Sequence, residues 1–234
     1  GSTAMTLAPL AETYRMWSTI SSHEPHSVLD LTRPILSMMN VRFAFLNVSD
    51  PIPPGWHNVT FDMYTRLIEN ERVLPRAFVP RNVRIGVPSQ QEVEQMAATN
   101  DFADQGWVAI EQPHVIEGPN GSGEANARWH RFRLHIDVVK HGPGFVVISE
   151  AAWRGWRAYL DGHRVEVHRA DHAFLGVFVP DGKHTIVLHY LPQSFVIGRA
   201  ITFATIALLV LYSTVTLFAR LRGWSTSHPR RSAM

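Results

Sequence analysis

The chain has 234 residues, a formal net charge of +2 and no cysteine. The missing cysteines exclude disulfides, thiolate chemistry and Cys-based zinc sites. Lys and Arg number 22 against 20 Asp and Glu, with no long basic run in the body of the chain, which argues against nucleic acid as a partner.

In chain order, residues 10–22 read as a short helix, with Tyr14 and Trp17 three apart. Pro34 suits the first turn of a second helix carrying Ile35, Leu36, Met38 and Met39. Val41–Leu46 reads as a strand, and Pro51-Ile52-Pro53-Pro54-Gly55 as a rigid loop. Val59–Phe61 and Tyr64–Ile68 read as two strands around a turn, and Arg76–Ile85 as an extended stretch broken at Pro80. Ser89 and Glu92 form a capping box that opens a helix to about Ala98, with Val93, Met96 and Ala97 as its apolar stripe. Trp107–Ile110 is a strand. Residues 1–117 are thus expected to be a small α+β unit, closed by a loop over Glu117–Gly123.

The second half turns strand-like. Arg128–Val138 alternates as one strand, with Phe132, Leu134, Ile136 and Val138 on its apolar face. Phe145–Ile148 reads as a buried strand. Trp156–Leu160 and Val165–His168 flank Asp161-Gly162, a tight-turn signal, and Phe174–Val179 and Thr185–Tyr190 flank a second expected hairpin at Asp181-Gly182-Lys183. Six short strands at this spacing predict an antiparallel β-sandwich over residues 124–192.

From Ala200 to Ala219 the sequence AITFATIALLVLYSTVTLFA carries no charge, and as a helix it spans about 30 Å, a bilayer's hydrocarbon core. A transmembrane helix is expected over residues 195–219, followed by a basic tail over 220–234 with Arg220, Arg222, Arg230 and Arg231. Positive residues beside a membrane span favour the cytoplasm, so the expected orientation is body outside and tail inside. The first residues, GSTAMTLAPLAETYRM, contain no apolar signal-like run. The expectation is a segment of a larger membrane protein, with an earlier span delivering the body outside. The sandwich would then sit nearly on the bilayer surface.

The candidate binding residues lie in one run. Trp153, Arg154, Trp156, Arg157 and Tyr159 interleave aromatic faces, which stack on sugar rings or settle among lipid headgroups, with guanidinium groups that grip hydroxyls or phosphates. The plain alternative makes Trp156 core and Trp153 a rim residue. Eight histidines (His130, His135, His141, His163, His168, His172, His184 and His189) fall in the sandwich half without HExxH or a compact triad, so no metal is expected. Paired carboxylates for glycoside hydrolysis would be Glu150 with Asp161 or Asp171, though nothing in the sequence fixes the separation such a pair needs. No Gly-rich phosphate loop and no GxSxG elbow is present, and no cofactor is called for.

Several runs resemble the bacterial YfhO-type membrane proteins. They are Met39-Asn40-Val41-Arg42-Phe43, Leu74-Pro75-Arg76-Ala77-Phe78-Val79, Ser149-Glu150, Trp153–Gly162 and Arg169–His184, in the family's order and spacing. Two departures stand out: Ala151-Ala152-Trp153-Arg154 replaces the usual aromatic pair and proline, and Leu175 stands where arginine is common. The resemblance implies a multi-pass protein similar to the GT-C glycosyltransferases, which use polyprenyl-phosphate sugars and are linked to cell-envelope polymers. It also implies that the catalytic aspartate belongs to an early extracytoplasmic loop outside this sequence. The chain would then be an accessory extracytoplasmic domain plus the last membrane helix, with no catalytic residue of its own. Its partners would be the lipids of the cytoplasmic membrane, the rest of the parent protein, and an envelope glycan or polyprenyl-linked sugar. Its work would be acceptor binding or support of the membrane domain. The alternative is a purely structural or protein-interaction domain, for which Trp153, Trp156 and Tyr159 should all be buried.

Overall fold

A computed structural model describes residues 30–87, 89–110 and 116–226. The helix expected over residues 10–22 and the tail beyond Thr226 lie outside the described residues. The chain divides into two compact units, Gly1–Tyr190 and Leu191–Met234.

In the first unit, α1 (Pro34–Met38) starts with Pro34 at its head and is followed by a hairpin sheet of β1 (Phe43–Asn47), β2 (Trp56–Phe61) and β3 (Thr65–Asn70), in the order β1-β3-β2. Ile68, Trp56 and Asn70 bury the inner end of this sheet, whereas Phe45, Phe61, Met63 and Tyr64 at its other end are mostly exposed. Next come β4 (Ala77–Phe78) and β5 (Asn82–Gly86), separated at Pro80 as expected, then α2 (Gln90–Ala98) and β6 (Gln105–Ala109). Because α2 crosses over between them, β5 and β6 pair in parallel. The Ser89 hydroxyl accepts the Glu92 amide at 3.2 Å, the first half of the capping box. Ser89→Ala is expected to lower stability by about 1 kcal/mol in denaturant titration, the usual cost of losing an N-cap.

The remaining strands are β7 (Ile116–Pro119), β8 (Ser122–His130), β9 (Arg133–His141), β10 (Gly144–Ala151), β11 (Trp156–Leu160), β12 (His163–Val165), β13 (His168–Ala170), β14 (Phe174–Val179) and β15 (Gly182–Tyr190). They build a five-stranded sheet, β12-β11-β15-β9-β8, and complete a seven-stranded sheet, β4-β10-β14-β13-β6-β5-β7. Between the two sheets lies one core, of Leu134, Ile136, Val138, Val146, Ile148, Leu175, Val177, Ile186 and Leu188. The opposite face of the seven-stranded sheet packs Phe78, Phe145, Val147 and Phe174 with Ile35, Met38 and Met96 from the helices, together with Trp107. Strand β10 serves both cores: Phe145 and Val147 point one way, Val146 and Ile148 the other. That accounts for its continuous apolar run, as in any strand covered on both faces.

The expected class, α+β elements followed by an antiparallel sandwich and an apolar terminal helix, is what the structure has, with four corrections. First, the loop at Glu117–Gly123 is not a boundary between domains. Most of it belongs to β7 and β8, and the seven-stranded sheet draws β4–β7 from the first half and β10, β13 and β14 from the second. Sheet pairing therefore runs across the expected boundary between residues 117 and 124. Second, the run Arg128–Val138 is a hairpin, not one strand. His130 pairs with Arg133 around Arg131, whose φ is +54°, and Phe132 sits on the turn, 85% exposed. Third, the turn at Asp181-Gly182 joins no hairpin, because β14 and β15 belong to different sheets and the chain changes sheet there. Fourth, the tight turn at Asp161-Gly162 does close a hairpin, both residues having positive φ, but with β12 at His163–Val165, and β13 continues in the other sheet.

The second unit is α3 (Gln193–Thr226), whose segment Gln193–Arg220 is long and apolar enough to cross a membrane. The beginning of the expected basic tail, residues 220–226, continues this helix. Five of its hydroxyl side chains bond back to the helix's own carbonyls: Thr202 to Gly198, Thr205 to Ile201, Ser213 to Leu209, Thr214 to Leu211 and Thr216 to Ser213. These five hydroxyls are thus satisfied without water, a requirement in hydrocarbon.

Candidate functional site

Strand β10 ends at Ala151 in one sheet and β11 starts at Trp156 in the other. The four residues between must turn sharply, and Gly155, at φ +123°, supplies a backbone conformation closed to other residues. Ala152 N–H donates to the Ala173 carbonyl at 2.8 Å, and Trp153 N–H to the Ala151 carbonyl at 2.7 Å. The indole N–H of Trp156 reaches back to the same Ala151 carbonyl at 3.0 Å. Its ring is therefore held in place, and it meets the Tyr190 ring with centroids 5.2 Å apart at 54°. Trp153, 39% exposed, completes an open cleft of about 310 Å³ lined by Trp153, Trp156 and Tyr190.

The five candidate residues do not form one cluster. Register pairs Trp156 with Tyr190, Ala158 with Leu188 and Leu160 with Ile186, placing these on the face toward the inter-sheet core. Alternation sends Arg157, paired with His189, and Tyr159, paired with Val187, to the opposite face. Arg154 is exposed on the crossover loop. The structure thus joins Trp153 and Trp156, adds Tyr190, and separates off Arg157 and Tyr159. Tyr190 lies 34 residues beyond Trp156, so only strand pairing could reveal it.

The carboxylates considered for hydrolysis each have a separate partner. Glu150 bonds Arg76 Nη1 at 2.5 Å. Asp161 accepts from Thr185 N–H and meets His184 Nδ1 at 2.7 Å, and this His184 contact holds its carboxyl below the usual range. Asp171 is fully buried on the β13–β14 turn, where its Oδ1 accepts the Trp107 amide at 2.9 Å and burial pushes its pKa up to about 7. Burial also raises Glu92, whose charge lifts Asp171 further. Among the described residues no group of three His, Cys, Asp or Glu side chains is arranged to hold a metal.

A second network was not found by sequence reasoning. Arg76 bonds Glu150 and, at 3.5 Å, Asn40; Asn40 donates to the Leu74 carbonyl at 2.7 Å; and the Ser149 hydroxyl donates to the Met38 carbonyl at 2.5 Å. The runs around Asn40, Arg76 and Glu150, far apart in sequence, thus meet at one point beside α1. Their short shared motifs were the only signal. A larger, more polar cavity of about 430 Å³ lies nearby, between Arg33, Trp56, Asn70, Arg72 and Asp101. Its one aromatic wall, Trp56, spends its indole N–H on the Leu31 carbonyl, and Arg33 is paired with Asp30.

Comparison with known proteins bears on the segment that carries the aromatic cleft. Residues 123–202 match the family described as bacterial membrane protein YfhO. Over 84 residues, 36% of this chain, the sequence is 26% identical to the uncharacterized protein YfhO of Bacillus subtilis (strain 168). The matched stretch is 10% of that relative's length. No solved structure matches. The matches, with the apolar terminal helix, support a YfhO-family membrane protein.

Proposed function

We propose that the chain is an extracytoplasmic accessory domain of a YfhO-type membrane protein, and that its aromatic cleft receives a saccharide ring of an envelope glycan acceptor. The observation that carries this reading is the cleft of Trp153, Trp156 and Tyr190. Three rings that stay partly open to solvent, one fixed by its own hydrogen bond, form a stacking platform of the kind that takes the apolar face of a sugar. A purely structural domain would bury Trp153, and 39% of it remains exposed. Sugar transfer itself, on this reading, belongs to a membrane region of the GT-C type, with a polyprenyl-phosphate sugar as donor. The body lies outside the cell and the basic helix end inside, as the arginines after Ala219 favour.

The test uses the full chain in nanodiscs, titrated with oligomers of glucose, galactose and N-acetylglucosamine. Saturation-transfer NMR and tryptophan fluorescence provide the readouts. At least one series is expected to bind saturably, and Trp153→Ala to weaken it by about tenfold, the scale of one lost stacking contact. Absence of saturable binding by every series, or binding untouched by Trp153→Ala, would sink the saccharide reading.

A further inference from the structure

The register of the five-stranded sheet segregates charge on its outer face. Side chains paired across strands share a face, so one row across β11, β15, β9 and β8 reads Arg157, His189, Arg133, His130. The next row, from β12 to β8, reads Arg164, Tyr159, Val187, His135, Arg128. These two rows hold four arginines and three histidines and no carboxylate. The strand acids Asp137 and Glu124 come in the following rows, toward the other end, as does Asp161 opposite Thr185, and Glu166, just beyond β12, faces His168. Neighbouring positions within a row lie about 5 Å apart and successive rows about 7 Å apart, so the cations repel one another. None of the four arginines makes an ion pair among the described residues, whereas Arg42, Arg76, Arg81 and Arg84 elsewhere in the same unit all do. Folding gains nothing from this arrangement; an anionic partner would.

The apolar groups at the same end indicate which partner. The β8–β9 turn, next to the first row, presents Phe132 at 85% exposure, while Trp129, half exposed at the same end, pairs with Leu134 on the other face. Strand β15 ends there too, at Tyr190, and after the two residues Leu191 and Pro192 the sequence enters the apolar helix. Cations beside a turn that exposes Phe132, in a chain with its own membrane-type helix, match the chemistry of a lipid headgroup layer. We infer that the outer face of the five-stranded sheet binds the phosphate headgroups of anionic phospholipid, with Phe132 entering the interface. This binding does not depend on a saccharide in the cleft.

The absence of cysteine allows a direct test. Phe132→Cys, carrying an environment-sensitive fluorophore, is placed in the full chain and reconstituted in nanodiscs of phosphatidylcholine, with or without phosphatidylglycerol, doped with nitroxide lipid. Quenching is expected to be stronger with phosphatidylglycerol and to be lost near 1 M salt, where screening acts within about 3 Å. Arg133→Gln and Arg157→Gln are each expected to weaken the association about fivefold. The salt titration needs no further variant, so a misfolded arginine variant does not remove the test. Equal quenching in both kinds of disc, or quenching indifferent to salt, overturns the inference. So does binding of soluble polyphosphate to the same arginines without quenching in phosphatidylglycerol discs, since the anion would then not be a lipid.

Discussion

Asn120→Ala is expected to cost about 4 kcal/mol of stability, because Asn120 anchors several buried backbone groups at once. Its amide donates to the carbonyls of Pro80 and Phe145, both at 2.8 Å, and its carbonyl oxygen accepts the Phe145 amide at 2.6 Å. Its backbone carbonyl takes the Lys140 ammonium at 2.5 Å, and Lys140 also reaches the Gly121 carbonyl at 2.9 Å. Asn120 and Lys140 are each only 1% exposed. Burial lowers the Lys140 pKa to about 8, while the two carbonyls it meets favour its charged form. Truncating Asn120 strands the Phe145 amide and the Pro80 carbonyl away from water, each at about 1–3 kcal/mol. No neighbour can fill the gap without loss, since Gly144 already packs so tightly that a Cβ there would lie 2.1 Å from the Asn120 carbonyl oxygen. Gly118→Ala is the control: a Cβ there meets nothing within 4 Å, and stability should change by less than about 0.5 kcal/mol. Urea titration of both variants in detergent decides the matter. A loss under about 1 kcal/mol for Asn120→Ala would show that the network does not bear on stability.

Asp171 should make stability fall as pH rises from about 4 to about 7. Its folded pKa of about 7 lies well above its ordinary 3.8, so across this window the unfolded carboxyl is ionised while the folded one keeps its proton. The unfolded state then binds fewer protons, and the slope of stability against pH is negative. Integrated over the window the effect is on the order of 4 kcal/mol, levelling off above pH 7. Asp171→Asn keeps an oxygen for the Trp107 amide and tolerates the φ of +42°, so it should flatten most of this slope. A smaller slope of the same sign should remain from Glu92, which burial also raises. Denaturation at several pH values, with and without the substitution, measures the difference. An unchanged slope in Asp171→Asn would refute the assignment.

What could be read in advance follows the physics of alternation. Leu134, Ile136 and Val138 point to the core as their spacing required, and Phe174–Val179 is a strand at the expected bounds. The Arg131-Phe132 turn was illegible because an arginine holds the positive-φ position where glycine usually marks such a turn. The stretch around Asn120 read as a loop because its composition is that of loops. A polar residue that works by satisfying distant backbone groups leaves no local pattern. The candidate site was half legible: Trp153 and Trp156 were singled out from composition, but Tyr190 joins them only through the β11–β15 register, and the same register removes Arg157 and Tyr159. The charged rows on the outer face stayed invisible for the same reason, since each of their four arginines lies on a different strand.

The strand order of the seven-stranded sheet also bears on how the protein is made. Strands β5, β6 and β7 join the rest of that sheet only through β13, so a unit begun at Asn82 cannot close until the chain has been synthesised past Val179. At about 5–20 residues per second that leaves the first half waiting roughly 5 to 20 s with unpaired edges. Soon after those late strands emerge, the apolar helix follows. The ribosome therefore delivers the sheet's missing partners and the apolar helix almost together, so this body closes its sheet only as that helix emerges.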